Sequence, residues 1–385
     1  MEIKKLVDTE KVVGWRRHLH MYPEVAFEEF KTAEYIVSEL SKYPDVEILR
    51  PAGTSVVGVL RGGKPGKIVG LRADFDALPI TEEADVEFKS KNPGVMHACA
   101  HDCHTAMLLG AVDVLCKIKD DLCGTVKFIF QHAEELLPGG AQEIVDSGAL
   151  SDVQGFYTMH LENLELVGVL NSAPGAVSAN TDSFTIEVHG KGAHAAEPHT
   201  SIDSLLIGTE IVQALNFIVS RNVANNESAV LTVAAFNSGS TFNIIPDTAE
   251  IKGTVRTFSG DVRELIERRI VDITAGICAA HGATCNVKYE RGYSSVINDE
   301  KLCEFFNNLA IKKYPNLEIK KLLPTMGGED FSAYGAIAPI LYVALNARPK
   351  SGEVYNFHHP KFCIDEDVLP IGTALYADFA WEFNK

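Results

Sequence analysis

The sequence predicts an α/β protein, with a larger domain on a mostly parallel sheet and a smaller ferredoxin-like α+β domain inserted into it. Three observations carry this. Between residues 55 and 160, strand patterns alternate with helix patterns, the order a parallel sheet requires. From 184 to 290 the order becomes β-α-β-β-α-β, the split βαβ arrangement. After 290 a helix, a strand and a helix return to the first kind of pattern. The expected limits are 1–178 and 291–385 for the discontinuous larger domain and 179–290 for the insert.

Asp8-Thr9 can cap a helix running to about His20, and FEEFKTAEYIVSELSKY (27–43) reads as a second helix. SVVGVLRG (55–62) and KIVGLRAD (67–74) read as strands separated by a Gly-Pro turn. Apolar residues recur at helical spacing from His104 to Lys119. TVKFIF (125–130) reads as a strand, GGAQEIVDSGAL as a helix and GFYTMH (155–160) as a strand. In the insert, FTIEVHGK (184–191), SAVLTVAAFNS (228–238), AEIKGTVRTF (249–258) and ATCNVKYE (283–290) are strands, and 203–221 and 261–282 are helices. A helix over 299–315, the turn MGGEDFS, the strand AIAPILYVALN and a helix over 365–383 complete the chain.

Composition narrows the function. The chain has 385 residues, a net charge of −17, 46% hydrophobic and 23% charged residues, which excludes disordered, collagen-like and coiled-coil chains. The acidity argues against nucleic-acid and anionic-membrane partners. No apolar run approaches the about 18 residues of a spanning helix, and MEIKKLVDTEKVVGWRRHLH has no apolar signal core, so a cytoplasmic protein is expected. Eight cysteines are too sparse for a disulfide scaffold. Buried reduced thiols are expected at Cys116, Cys123, Cys278, Cys285 and Cys303, whereas histidines crowd Cys99 and Cys103.

MHACAHDCH packs His97, Cys99, His101, Asp102, Cys103 and His104 between a loop and a helix start. Thiolate and imidazole suit zinc, nickel, cobalt and similar cations. A structural zinc site would need further ligands from afar, because no second paired motif follows. Partners lie at expected strand ends: Arg72, Asp74 and Asp76 after one strand, His132, Glu134 and Glu135 after another, and His160 after a third. Ligands of parallel sheets bind beyond the carboxyl ends of the strands, so three strands would serve one edge. On an extended backbone Glu134 and Glu135 point different ways, so one can bind metal while the other takes a proton from water. His132 reads as a surface imidazole. NFHHPKF adds His358 and His359, and GKGAHAAEPH adds His194 and His199 in the insert.

Taken in order, RRHLHMYPEVAFEE, LRADFDALPI, MHACAHDCHTAMLLGA, HAEE, MH, GKGAHAAEPH, FNIIPD, GTVRTF, GGEDF and FHHPKF span nearly the whole chain. Together they resemble the metal-dependent aminoacylase and carboxypeptidase superfamily. The branch is that of hippurate hydrolase, indole-acetyl-amino-acid hydrolases and N-acetyl-diaminopimelate deacetylase. The resemblance implies a phosphorylase/hydrolase-like catalytic domain and a lid domain that forms a homodimer or homotetramer. It implies two divalent cations (Zn, Mn, Ni or Co) held by Cys99, His101, Glu135, His160 and His358. It makes Glu134 the general base, has Asp74 orient a ligand, and gives His194 the polarisation of the scissile carbonyl. Asn243 and Arg256 would hold a substrate carboxylate, with Gly327 and Gly328 lining the pocket. The implied reaction is amide hydrolysis of a small N-acyl amino acid by a metal-activated water.

The sequence departs from the superfamily's peptidases at one place and from the branch at three. Arg72-Ala73-Asp74 stands where peptidases of the superfamily carry His-x-Asp, which favours amidohydrolases over exopeptidases. Ala100 replaces a usual Gly, His132 a frequent Pro, and MGGED the commoner GSED. The rival readings are a dipeptidase or carboxypeptidase on the same scaffold, a non-catalytic metal protein, and a redox sensor using Cys99 and Cys103. A spare base at Glu134 argues against metal storage.

Overall fold

The structure, a computed structural model, describes residues 2–385. The chain divides into two units. The first runs to Val177 and resumes as Val296–Leu323 and Asp330–Lys385; the second is Ser178–Ser295 with Pro324–Glu329.

The first unit is built on an eight-stranded sheet. Its order is Val46–Leu49, Val56–Arg61, Cys123–Gln131, Lys64–Asp74, Gly155–Leu166, Ile340–Arg348, Val169–Asn171, Glu318–Lys320. Lys64–Asp74 runs parallel to both neighbours, and Gly155–Leu166 runs parallel to Ile340–Arg348. The first two strands and Val169–Asn171 add antiparallel pairs. Cys123–Gln131 therefore lies between two strands that only Gly62 and Gly63 separate in sequence. Successive side chains alternate between faces: Val56 and Leu60 enter one core, Val57 and Val59 another. With both faces covered, the central strands read as continuous apolar runs rather than alternating ones. The helix His101–Lys117 packs on one face with Thr9–Met21 and Leu369–Phe383.

Three local expectations differ. The helix expected from residue 27 spans Phe30–Leu40, because Phe27 adopts a left-handed φ of 66° that no α-helix accommodates. The helix after Gly140 is only Ala141–Asp146, followed by Gly148 at φ 74°. The strand containing His160 does not stop there but continues to Leu166, paired alongside Ile340–Arg348. His160 is thus a mid-strand residue.

The second unit has strands Asn180–His189, Ala229–Ser238, Thr248–Thr257 and Thr284–Arg291 with helices Ser204–Phe217 and Gly260–Ala280. The sheet order is Ala229–Ser238, Thr248–Thr257, Asn180–His189, Thr284–Arg291, all antiparallel, as a ferredoxin-like unit requires. Asp203 and Ser259 cap the helices by accepting backbone N–H bonds from the first turns. Ile186, Ile211, Ile251 and Ile266 centre a separate core. The unit reaches further along the chain than the expected 179–290. Thr181 N donates to Tyr293 O, Ala179 N donates to Gly327 O, and Arg263 reaches Gly292 O, which ties 291–295 and 324–329 to this sheet. Among the described residues, no helix is long and apolar enough to cross a membrane.

Candidate metal centre

The helix His101–Lys117 begins without a side-chain cap. Its N-cap is Ala100, held at φ 64°, and that left-handed turn separates Cys99 from His101. His101 and His104 then share a helix face. His101 Nδ1 lies 2.9 Å from the carbonyl oxygen of Asp76 and 3.3 Å from its Oδ1, which makes Nδ1 the protonated nitrogen. Its Nε2 is buried with no hydrogen-bond partner and faces Asp74 Oδ2 at 3.8 Å and Glu135 Oε1 at 4.0 Å. A buried ring nitrogen facing two carboxylates calls for positive charge between them, either a proton or a metal cation. Burial opposes protonation of His101, but Asp74 and Asp76 outweigh it and hold the imidazole up at about 10. A cation could take the place of that proton.

His160 shows the same division of its ring. Nδ1 donates to Leu161 O at 2.6 Å, and Nε2 stands 3.6 Å from Cys99 Sγ. Burial keeps this imidazole neutral by lowering its pKa well below the usual range. Each histidine therefore gives one N–H to a protein oxygen and turns its other nitrogen toward the cluster, as metal-ligating histidines do. Burial and the carboxylates of Glu135 and Glu134 raise the Cys99 thiol well above its ordinary range.

Among the described residues, the groups that can bring one donor atom per residue within 4.8 Å of one another include Cys99, His101 and His160; Asp74, His101 and His104; Cys99, Glu135 and His358; and His101, Glu134 and Glu135. All five residues expected as ligands fall in these sets, with Glu134 beside them. His358 Nε2 lies 3.1 Å from Glu135 Oε1, and His358 N donates to Ala98 O at 2.9 Å, which ties its loop to the Cys99 loop. His359 is in none of these sets; it stacks on Tyr355 and accepts from Lys361 N.

Glu134 and Glu135 do not stand on extended backbone. The strand ends at Gln131, and Ala133, at φ 51°, turns the chain so that both carboxylates reach the His101 cluster. His132 is not a surface imidazole either, being fully buried. Ser55 Oγ lies 2.5 Å from its Nδ1, and Gly53 and Gly140 close over the ring so tightly that a β-carbon at Gly53 would meet Nε2 at 2.5 Å.

Asp74 has two close partners. Oδ1 accepts from His104 Nδ1 at 2.7 Å, while Oδ2 accepts from Arg72 at 2.6 Å. His104 Nε2 accepts from Leu161 N, so both of its ring nitrogens are engaged. Burial opposes the charge on Asp74, but Arg72, His101 and His104 hold its carboxyl well below the usual range. Arg72 itself is 1% exposed and bonds Asp74, Asp330 and Gln131. It is a structural cation, unlike the His of the exopeptidase pattern.

Asp76, noted in sequence only as a strand-end carboxylate, orients His101 and also accepts from Glu135 N at 3.0 Å. Its signal was its place two residues beyond Asp74 in LRADFD. Asp330 was hidden in the turn motif GGEDF.

The remaining candidates lie in the second unit. His194 is exposed, and its Nδ1 accepts from Ala196 N, leaving Nε2–H as the donor. Asn243 Oδ1 accepts from Thr241, and Arg256 donates to Val255 O at 2.9 Å and to Thr254. Gly328 has no room for a side chain, since a β-carbon would sit 2.6 Å from Thr181 Cγ2. Gly327 is open except for Thr325 Oγ1 at 3.5 Å.

The sequence profile of peptidase family M20/M25/M40 matches residues 70–382. The chain belongs to this family. It is 46% identical over 299 residues to the N-acyl-L-amino acid amidohydrolase of Geobacillus stearothermophilus, covering 77% of this chain and 81% of that protein. It is 38% identical to thermostable carboxypeptidase 1 of Saccharolobus solfataricus, covering 98% of each. Among solved structures, the Bacillus subtilis YXEP protein, described as a dinuclear metal binding peptidase of the M20 family, superposes with a TM-score of 0.85 at 31% identity. That alignment covers 97% of this chain and 98% of YXEP. The protein is accordingly a family hydrolase of the metal-dependent, amide-cleaving kind.

Proposed function

We propose that the protein hydrolyses the amide bond of small N-acyl amino acids. The carrying observation is the place of Glu134, whose carboxylate comes within 4.8 Å of donor atoms of His101 and Glu135, so that it can serve as a base beside the proposed ligands. Cys99, His101, Glu135, His160 and His358 would hold two divalent ions, with zinc, manganese, nickel and cobalt all compatible with this mixed thiolate, imidazole and carboxylate set. Such ions supply Lewis-acid polarisation of the amide carbonyl and acidify water. Glu134 would take the proton from the attacking water and return it to the leaving amine as the amide bond breaks. His194, through Nε2–H, donates to the carbonyl oxygen as charge develops there. Asn243 and Arg256 hold the carboxylate of the amino-acid half, and Gly327 and Gly328 line the pocket. Asp74 and Asp76 keep His104 and His101 in fixed tautomers throughout. A homodimer formed through the second unit and a cytoplasmic location complete the reading.

The identity to a carboxypeptidase favours a second reading, peptide cleavage on the same machinery. One panel separates them: N-acetyl, N-benzoyl and indole-acetyl amino acids against dipeptides, before and after chelation, with each cation restored. Acyl amino acids are expected to be cleaved faster. Glu134→Gln is expected to keep its cations, measured by elemental analysis, while kcat falls about 10²–10⁴-fold. Full turnover in that variant would overturn the mechanism.

A further inference from the structure

The motif YPEVAFEE near the N-terminus has no part in the chemistry above, yet the structure brings it to the site. Glu29 is fully buried. It precedes the helix Phe30–Leu40 but does not cap it. Its Oε1 accepts from Phe27 N at 3.0 Å and from Ala133 N at 2.9 Å, and its Oε2 accepts from Thr54 Oγ1 at 2.8 Å. The two backbone groups it holds belong to residues of positive φ, Phe27 and Ala133. Ala133 is held from its other side too, since its carbonyl accepts from Gly140 N. One residue on, the chain presents Glu134 and then Glu135, whose N–H Asp76 holds. The same N-terminal segment braces Asp76, because Ala77 N donates to Glu24 O at 2.8 Å.

A non-glycine residue persists in the left-handed region only where its surroundings over-determine it, and such residues gather at functional sites. We infer that Glu29 is a positioning residue, which sets the direction of the Glu134 and Glu135 carboxylates by clamping the left-handed turn at Ala133. It touches neither substrate nor the proposed ligands and acts through one backbone N–H. This rests on the amide-hydrolase reading for its kinetic consequence, but not for its structural one.

The test compares Glu29→Ala, Glu29→Asp and Glu29→Gln in the full chain. Alanine removes the acceptor, and aspartate is one methylene too short to reach Ala133 N. Glutamine keeps an amide oxygen for the two N–H groups. Alanine and aspartate are expected to lower kcat about 10- to 100-fold, the scale of a roughly 1 Å misplacement, with KM within about 2-fold. Glutamine is expected to restore kcat to within about 3-fold, which a general loss of stability would not do. Independently of turnover, amide hydrogen exchange across 131–137 should accelerate in the alanine and aspartate variants and stay slow in glutamine, with the helix His101–Lys117 unchanged. Unchanged exchange in folded alanine and aspartate variants would overturn the inference. So would equal losses in all three variants that follow their melting temperatures, or failure of both shorter variants to fold. If wild type cleaves nothing on the panel while exchange changes as expected, the functional reading fails and the clamp stands.

Discussion

At the scale of the residue, Ala100 shows how closely ligand spacing depends on backbone conformation. Its φ of 64° is glycine territory, and a β-carbon there costs ~1–2 kcal/mol. The turn is what lets Cys99 and His101, two positions apart, offer donors to the same cluster. Ala100→Gly should relieve that strain and lose part of the gain to the freer unfolded chain, for a net stabilisation of about 0.5–1 kcal/mol in urea denaturation. Destabilisation would mean that the buried methyl packs better than its dihedral suggests. Glu29 carries a pH signature. Burial pushes its carboxyl up to about 7 from 4.5, with Asp76 adding to the shift. A carboxyl raised in the folded state binds more protons there than in the unfolded chain. Its stabilising contribution is therefore complete below pH 4.5 and lost as pH rises through about 7. Glu29→Gln should flatten this part of the stability profile, which denaturation at a series of pH values would read. An unchanged slope would show that the group titrates alike in both states.

At the scale of the element, the end of the strand Lys64–Asp74 depends on a cation that the first unit has fully enclosed. Arg72 bridges Asp74 on its own strand, Gln131 on the next and Asp330 on the turn Asp330–Ala336. Tyr334 of that turn donates to Gln131 Oε1 in its turn. Removing one partner of a buried ion set leaves charges without compensation. Arg72→Leu should thus cost about 3–5 kcal/mol in chemical denaturation. A cost under about 1 kcal/mol would mean that water reaches the two aspartates. The proximity of Asp74 to His104 is built on the same strand end, so elemental analysis of any folded Arg72 variant should also show weakened cation retention.

At the scale of the whole molecule, the two units close separate cores, which makes cation binding a local source of stability. The proposed ligands all belong to the first unit, drawn from segments between Cys99 and His358, whereas the second unit closes its own core around Ile186 and Ile251. Binding to the folded state alone adds ~2.7 kcal/mol at a free cation concentration 100 times Kd. Scanning calorimetry should show chelation lowering, and zinc or manganese restoring, the transition of the first unit, while the second unit's transition stays in place. Two transitions that move together, or none that moves, would count against a site confined to the first unit.

Fold class, family and donor types are legible in the residues alone. Helix and strand periods are local, and motifs such as HACAHDCH and HAEE carry their ligand chemistry within a few residues. Tertiary structure alone decided who meets whom. Arg72 and Asp330 are 258 positions apart, and Glu29 and Ala133 are 104 apart. No local period encodes such pairs, because they depend on a sheet order that slips Cys123–Gln131 between strands adjacent in sequence. The same long-range packing buried His132, placed His160 in mid-strand and bent the backbone at Glu134. Burial and hydrogen-bond partners are properties of the folded neighbourhood, so a residue's type names what it can do and only its surroundings select which of those things it does.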